Sequence, residues 1–555
     1  MQKKIIEKVR QFLKNENCAK ESYDYLLVNS TNEFLVEYNE LEKNSRYLIT
    51  GFSGSAGEAL ISQKDLFLFV DSRYHLQAEL EVDKNLVKVV KMKSGESFSQ
   101  LICKKIKPRK TLAITAKKVS QATLEILENT LKSKNIKIKL LDFDPIEKKI
   151  KIKEPQKCTK VDKKIAGLST DEKFKKVSKN LKKNEAILTT NLEEISYLTN
   201  LRDLSQNYSS KLKAAKCVVT KDFAILFTDY KVGKIGENFK VKKLCEFENF
   251  IKNSDQINTV FVDKRFINVY DYNLLGKKAK SLKQNPIILM KSVKTKQEIE
   301  HYKICFKKAD KALFALRDYI EKNENISEYD ISKKLEEEFL KNGAKSLSFK
   351  SIIAKDANSA QAHYSKNSKK EIVKEGSLIL IDCGAYFEGG LATDCTRVFV
   401  KGTPSKLQKQ VYTAVLKAFL KAFSLKITDK TTGFAVDKPV RKLLEKIAPK
   451  GFCFSHSLGH GIGINVHEAP PKLAFSPVAK TPLKQNMCFT IEPGLYKKGA
   501  FGVRLENSCF LDKENGKLII KSLSNMCFEK KLIDFNSLTK TEKIILSRFE
   551  AKDAK

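Results

Sequence analysis

Four of the chain's six histidines, His363, His456, His460 and His467, fall within about a hundred residues. The same stretch, slightly extended, carries Asp382, Asp394, Glu492 and Glu506, each on a run that reads as β-strand. A carboxylate on a strand between apolar neighbours is costly to bury unless it is paired or coordinates a metal. One such residue could face water at a sheet edge. Four of them, with clustered imidazoles, favour a metal site. Four carboxylates with few imidazoles suit hard or borderline ions such as Mn²⁺, Co²⁺ or Zn²⁺. They also exceed what one ion needs, so two ions sharing bridging carboxylates are expected. Strand alternation places Leu378, Leu380 and Asp382 on one face, and Arg504 on a face with Glu506, where a guanidinium can support a metal-binding carboxylate. Cys383 and Cys395 each follow a candidate ligand and are expected on the opposite face, in the packing layer.

The rest of the chain divides by pattern. At 555 residues it exceeds a single domain. Residues 1–150 alternate strand-like runs (DYLLVNS, EALIS, DLFLFVDS) with helix-like ones (FSQLICKKI, QATLEILENTLKS). A lysine-rich linker is expected over Lys148–Lys164, around Pro155. A second α/β unit runs from 151 to 290, with AILTT, CVVT, FAILFTD and NTVFVD as strands, and shares the pattern of the first as a related copy would. Long helices take over from about Lys291. An amphipathic stripe covers 297–322, Ser327 and Asp330 open the next helix, which ends at Asn342-Gly343, and Ser405 with Gln408 opens another. The β-rich stretches SLILIDCG, LATDCTRVFV, MCFTIEP and GVRLENSCFL make 291–510 a third, α+β domain, and 511–555 is expected to be a short mixed extension.

The net charge of +38 raises the possibility of nucleic-acid binding. The excess is almost entirely lysine, spread over the whole length without basic blocks or aromatic interleaving, so solvated faces are expected instead. The twelve cysteines show no C-x-x-C pattern, which argues against zinc ribbons and redox motifs. The opening MQKKIIEKVRQFLKNENC lacks the apolar core of a signal peptide, and no apolar run approaches a membrane span. A cytoplasmic protein with no membrane partner is expected.

The motifs DCGAYFEGGLATDCTR, HSLGHGIGINVHEAP, FTIEPGLY and GVRLEN, in this order over about 150 residues, resemble those of the pita-bread metallopeptidases, which include aminopeptidase P, prolidase and methionine aminopeptidase. ITGFSGSAGEAL, FVDSRYHLQAE and EEISYLTNLRD resemble the first and second domains of three-domain aminopeptidase P, so the resemblance spans nearly the whole chain. It implies two creatinase-like α/β domains before a pita-bread catalytic domain. It further implies hydrolysis of the N-terminal residue from peptides with proline second, by a hydroxide held between two divalent ions, manganese first, with zinc or cobalt as alternatives. Asp382 would bind one ion, His460 and Glu492 the other, and Asp394 and Glu506 both. His363, His456 and His467 would line the substrate site, Arg504 would orient the bridging carboxylates, and Glu492 would pass a proton to the leaving nitrogen. A homodimer is also implied. Asp382 and Asp394 stand twelve positions apart against the family's usual eleven, so the hairpin between them is expected to absorb one residue. An Xaa-Pro dipeptidase, sharing every ligand, is the alternative; a catalytically dead binding protein on the same scaffold is a remote one.

Overall fold

Runs of Val, Ile, Leu and Phe four to six residues long, bounded by turn residues, build the strands of this chain, because such side chains fit a pleated surface buried on both faces. The computed structural model describes residues 2–14, 22–93, 95–147 and 157–549. Residues 148–156 of the expected linker lie outside them, and its described end includes the short helix Lys163–Ala166.

Strands Tyr25–Val28, Glu58–Ser62, Leu66–Val70, Lys88–Lys91, Thr111–Thr115 and Lys137–Leu141 (β1–β6) form one sheet in the order β4-β3-β2-β1-β5-β6. Strands Glu185–Thr189, Lys216–Thr220, Ala224–Phe227, Phe239–Lys242, Thr259–Val262 and Ala279–Ser281 (β7–β12) form a second sheet in the order β10-β9-β8-β7-β11-β12. Both sheets repeat one scheme. The first strand runs antiparallel to the second and parallel to the fifth, and the third is parallel to the fourth. The related-copy expectation is therefore met at the level of topology.

The chain separates into two units: Met1–Lys157, Asp171–Ile195 and Lys213–Asn285 in one, and Cys158–Thr170, Ser196–Leu212 and Pro286–Lys555 in the other. The second holds the helices Pro286–Ser292 (α1), Lys296–Lys322 (α2), Glu328–Lys341 (α3), Lys406–Phe423 (α4) and Gly433–Ile447 (α5). Capping boxes start α2 at Thr295/Glu298, α3 at Ser327/Asp330 and α4 at Ser405/Gln408, each side chain satisfying a backbone N–H that the first turn leaves open.

The large sheet of this unit is built from Ile352–Lys355, Leu378–Cys383, Cys395–Val400, Gly459–Gly461, Glu468–Leu473 and Cys488–Ile491 (β13–β18) and Glu506–Glu514, with Lys517–Ser522 paired to the last. Alternation sorts its side chains. Ile353, Ile379, Ile381 and Phe399 pack with α2 and α3, whereas Leu378, Leu380, Val398, Phe489 and Ile491 pack with α4 and α5. Asp382 follows Leu378 and Leu380 on the second face, as expected, while Cys383 and Cys395 lie in the first core. Gly494–Tyr496 and Gly502–Arg504 (β19, β20) pair as a separate ribbon. The strand Glu506–Glu514 (β21) and its partner Lys517–Ser522 (β22) are followed by short helices whose Leu532, Ile545, Leu546 and Phe549 join the α4/α5 core. The segment after 510 is thus packed into the second unit.

Candidate metal centre and active site

Asp382 and Asp394 are brought together by the β14–β15 hairpin, in which Asp382 pairs with Thr396 and Cys383 with Cys395. The twelve-residue spacing is taken up by a short strand, Ala385–Tyr386, and a turn over Glu388–Gly390. Gly384 is required there, since a Cβ would strike the Thr393 carbonyl. Glu506 opens β21, whose first residues pair with β15 in the register Thr396–Glu506. Asp394 sits one residue before its strand, and Glu492 one residue after β18. His460 lies in β16, where pairing with β17 jumps from His460–Lys472 to Gly461–Glu468. The Ala469-Pro470-Pro471 run loops out at that jump because its prolines have no N–H for the ladder.

Asp394, His460 and Glu506 each offer a ligand atom within 4.8 Å of the others. His460 Nε2 is 3.5 Å from Asp394 and 3.6 Å from Glu492. Its Nδ1 lies 3.0 Å from the Gly461 carbonyl, which can only accept, so the proton belongs on Nδ1 and the Nε2 lone pair points at two carboxylates. Such an arrangement is repulsive until a cation lies between the groups. The buried oxygens Asp382 Oδ1 and Asp394 Oδ1 have no hydrogen-bond partner among the described residues. Burial, and then the charges of Glu506, Asp382 and Glu492, push the Asp394 carboxyl well above its usual range. Burial followed by Glu492 and Asp382 does the same to Glu506, and burial, opposed by Arg504, raises Glu492 to about 7. Four carboxylates against one guanidinium leave three negative charges, which two divalent ions would more than neutralise. The residues therefore fit a two-ion centre.

Arg504 ends β20 and is buried. Its Nη2 donates to Asp382 Oδ2 (2.6 Å), its Nη1 to the Tyr496 hydroxyl (2.6 Å) and its Nε to Thr396 Oγ1 (3.2 Å). Thr396 in turn donates to Glu506 Oε2 (2.6 Å). One expectation from strand alternation is corrected. Arg504 and Glu506 are not on one continuous strand, because the chain changes sheet at the buried Leu505. The guanidinium also holds Asp382 directly and reaches a bridging-type carboxylate only through Thr396.

His456 Nδ1 lies 2.8 Å from the Ser457 carbonyl and 3.7 Å from Glu492, and Nε2 lies 2.8 Å from the Tyr496 hydroxyl. With its proton on Nδ1, the ring accepts from Tyr496, whose oxygen accepts from Arg504, giving a continuous path from His456 to Asp382. The His467 ring stands edge-on to His460, with centroids 4.5 Å apart. His363 is half-buried in the turn after the helix Asp356–Ala360, and that helix is fixed to β20 by the Gly502 N–H donating to Ser359 (2.8 Å). Asp382, Asp394 and Glu506 are buried, while Glu492 and all four histidines keep some exposure. Sequence reasoning assigned no role to Thr396 or Tyr496, although both fall within the quoted motifs. It likewise missed Ser210, whose hydroxyl donates to the Gly390 carbonyl (2.6 Å) and lies 3.0 Å from that of Ile464, joining the hairpin to the loop before His467.

Three family models match in succession: the Creatinase/Prolidase N-terminal domain at 6–150 and again, in a second form, at 151–298, and metallopeptidase family M24 at 300–513. Residues 300–513 form a metallopeptidase family M24 domain. Among similar proteins, Xaa-Pro aminopeptidase 1 of Dictyostelium discoideum is 28% identical, covering 97% of this chain and 90% of its own. The crystal structure of X-prolyl aminopeptidase from Caenorhabditis elegans, described as a cytosolic enzyme with a di-nuclear active site, superposes with a TM-score of 0.90 at 21% identity, over 99% of this chain and 95% of that one. That likeness establishes the fold: two creatinase-type domains and a pita-bread M24 domain. The prolidase of Pyrococcus horikoshii OT3, 28% identical with a TM-score of 0.55, aligns over its full length, 100%, yet covers only 65% of this chain.

Proposed function

We propose that this chain is an Xaa-Pro aminopeptidase, removing the first residue of peptides that carry proline second. The observation that supports it most is the pairing of the Asp394, His460 and Glu506 cluster with a match to relatives named Xaa-Pro aminopeptidase over nearly the whole chain. The prolidase structures favour this reading over the dipeptidase, since they match only about two thirds of the chain.

In this proposal Asp382, Asp394, His460, Glu492 and Glu506 would hold the two ions; manganese is the expected metal, with zinc or cobalt as alternatives. Bound there, two divalent ions would supply Lewis acidity and a nucleophile at neutral pH. The chain's own residues do the remaining work. His363, His456 and His467 bind the substrate carbonyl and the charge that grows on it. Tyr496 and Arg504 keep His456 neutral at Nε2 and oriented. Glu492, between His460 and His456, carries a proton to the departing imino nitrogen. Because a proline-containing bond is a tertiary amide, recognition rests on ring shape instead of an N–H. A homodimer and a cytoplasmic setting belong to the same proposal, and among the described residues no helix is long and apolar enough to cross a membrane. Comparing kcat/KM for Ala-Pro-Ala with that for Ala-Pro tests it. The tripeptide is expected to be preferred, and a clear preference for the dipeptide would replace the aminopeptidase with a prolidase.

A further inference from the structure

Directly after His467 the chain buries a charge. Glu468, only about 1% exposed at its side chain, receives Lys291 Nζ at 2.8 Å and Lys294 Nζ at 3.4 Å, both lysines being 4% exposed. Burial would raise this carboxyl, but the two ammonium groups outweigh it and hold it at about 2. Removing three ionic side chains from water costs more than a surface pair returns, and well-packed apolar residues often do as well or better. Conformational specificity is then the natural gain, and the surroundings show what is being specified.

Glu468 Oε1 accepts from the Asn465 N–H (3.2 Å), and Asn465 Nδ2 donates to the His467 carbonyl (3.1 Å), so the loop closes on this carboxylate. Gly463 lies against it so closely that a Cβ would strike the carboxylate oxygens. Lys291 is in the last turn of α1, and Lys294 Nζ also donates to the Lys291 carbonyl (2.9 Å). The loop is thereby anchored to the junction between α1 and α2, a rigid part of the unit remote in sequence. On its other side the Ala392 N–H donates to the Gly463 carbonyl (2.8 Å), tying the same loop to the hairpin that ends at Asp394.

We propose that Glu468 is a positioning residue for His467: clamped by Lys291 and Lys294, it fixes the 463–468 loop so that the His467 ring stands edge-on to His460. This rests on the substrate-side role of His467 given above. The clamp touches neither substrate nor metal and acts only through the neighbouring imidazole.

The test uses the full chain carrying Glu468→Gln, with Lys291→Met as a milder variant and Lys291→Arg as the conservative one. With ¹³C-labelled histidine, the ring resonances of His467 and its contact with His460 should shift or vanish in Glu468→Gln, while that of His363 stays in place. In the metal-loaded enzyme kcat on an Xaa-Pro-Yaa peptide should fall roughly 10- to 100-fold, with KM and metal content little changed. Lys291→Met should lose less, and Lys291→Arg should recover most of the rate. In a His467→Ala background, Glu468→Gln should cost almost nothing further, because the residue it positions is gone. Losses that multiply across the two sites would overturn the proposal, as would an unmoved His467 resonance. If Glu468→Gln does not fold, Lys291→Met carries the same cycle. Absence of proline-specific turnover in the unaltered enzyme would count against the proposed function alone, since the resonance measurement needs no activity.

Discussion

Stripping the divalent ions should make the catalytic unit less stable as pH rises from about 5 to 8, the opposite of ordinary acid sensitivity. Asp394, Glu506 and Glu492 all have carboxyls raised above their usual range, first by burial. A group whose folded pKa lies above its unfolded value holds its proton more tightly when folded. Its stabilisation is fully present below the unfolded pKa and is lost as pH climbs through the folded one. For Glu492 the displacement from 4.5 to about 7 corresponds to roughly 3 kcal/mol. Asp394 and Glu506 act in the same direction. For a unit of this size that is about 5 °C in unfolding midpoint. Metal reverses the trend, because it binds the deprotonated carboxylates and stabilises the folded state by mass action. Thermal scans of chelator-treated and manganese-loaded protein at about pH 5.5, 6.5 and 7.5 should show the gap between the two widening with pH. Calorimetric titration with Mn²⁺ near pH 6, in buffers of different ionisation heat, should show more than one proton released as the site fills. A metal-free protein equally stable at both ends of the range, with no proton release, would refute the claim that these carboxylates converge on a cation site.

Glu506→Ala should lower metal content at both positions and abolish activity, whereas His460→Ala should remove about one equivalent; two retained ions with near-normal turnover in Glu506→Ala would show that it does not bridge. His363→Ala and His467→Ala should keep their metal and lose roughly 10²–10³ in kcat; metal loss in either would make that histidine a ligand. Tyr496→Phe removes the hydroxyl between His456 and Arg504 and should lower kcat about 10- to 100-fold with metal content intact; an unchanged rate would separate this path from catalysis.

Much of this was legible because the signals are local. The caps Ser327/Asp330 and Ser405/Gln408 satisfy their own first turns, so the residues that begin α3 and α4 carry the information themselves. The carboxylates stood out because a strand has no cheap use for a buried charge. What escaped was decided at long range. Thr396 looks like an ordinary strand threonine until β21 brings Glu506 beside it, 110 positions away. Arg504 was expected to orient the bridging carboxylates, and its direct bond to Asp382, 122 positions away, could not be read from its own strand. Lys291 and Lys294 could not be distinguished from the many solvated lysines of so basic a chain, since burial leaves no mark in lysine-rich sequence. The region after 510 has weak periodicity and read as an appendage, because its apolar residues enter the core singly from short turns instead of along one helix face.

That last region has a consequence for the order in which the molecule can be completed. Arg397, within the strand β15 that follows Asp394, donates to the carbonyls of Met526 and Cys527, and also to that of Glu506. β21, which begins with Glu506, has β22 as its neighbour along its far half. Until residues 517–549 have been made and have docked, this guanidinium lacks two of its acceptors and the strand bearing Glu506 stays open along one side. A chain emerging from the ribosome can thus complete its two creatinase-type sheets while the strand bearing Glu506 still waits for its later partners.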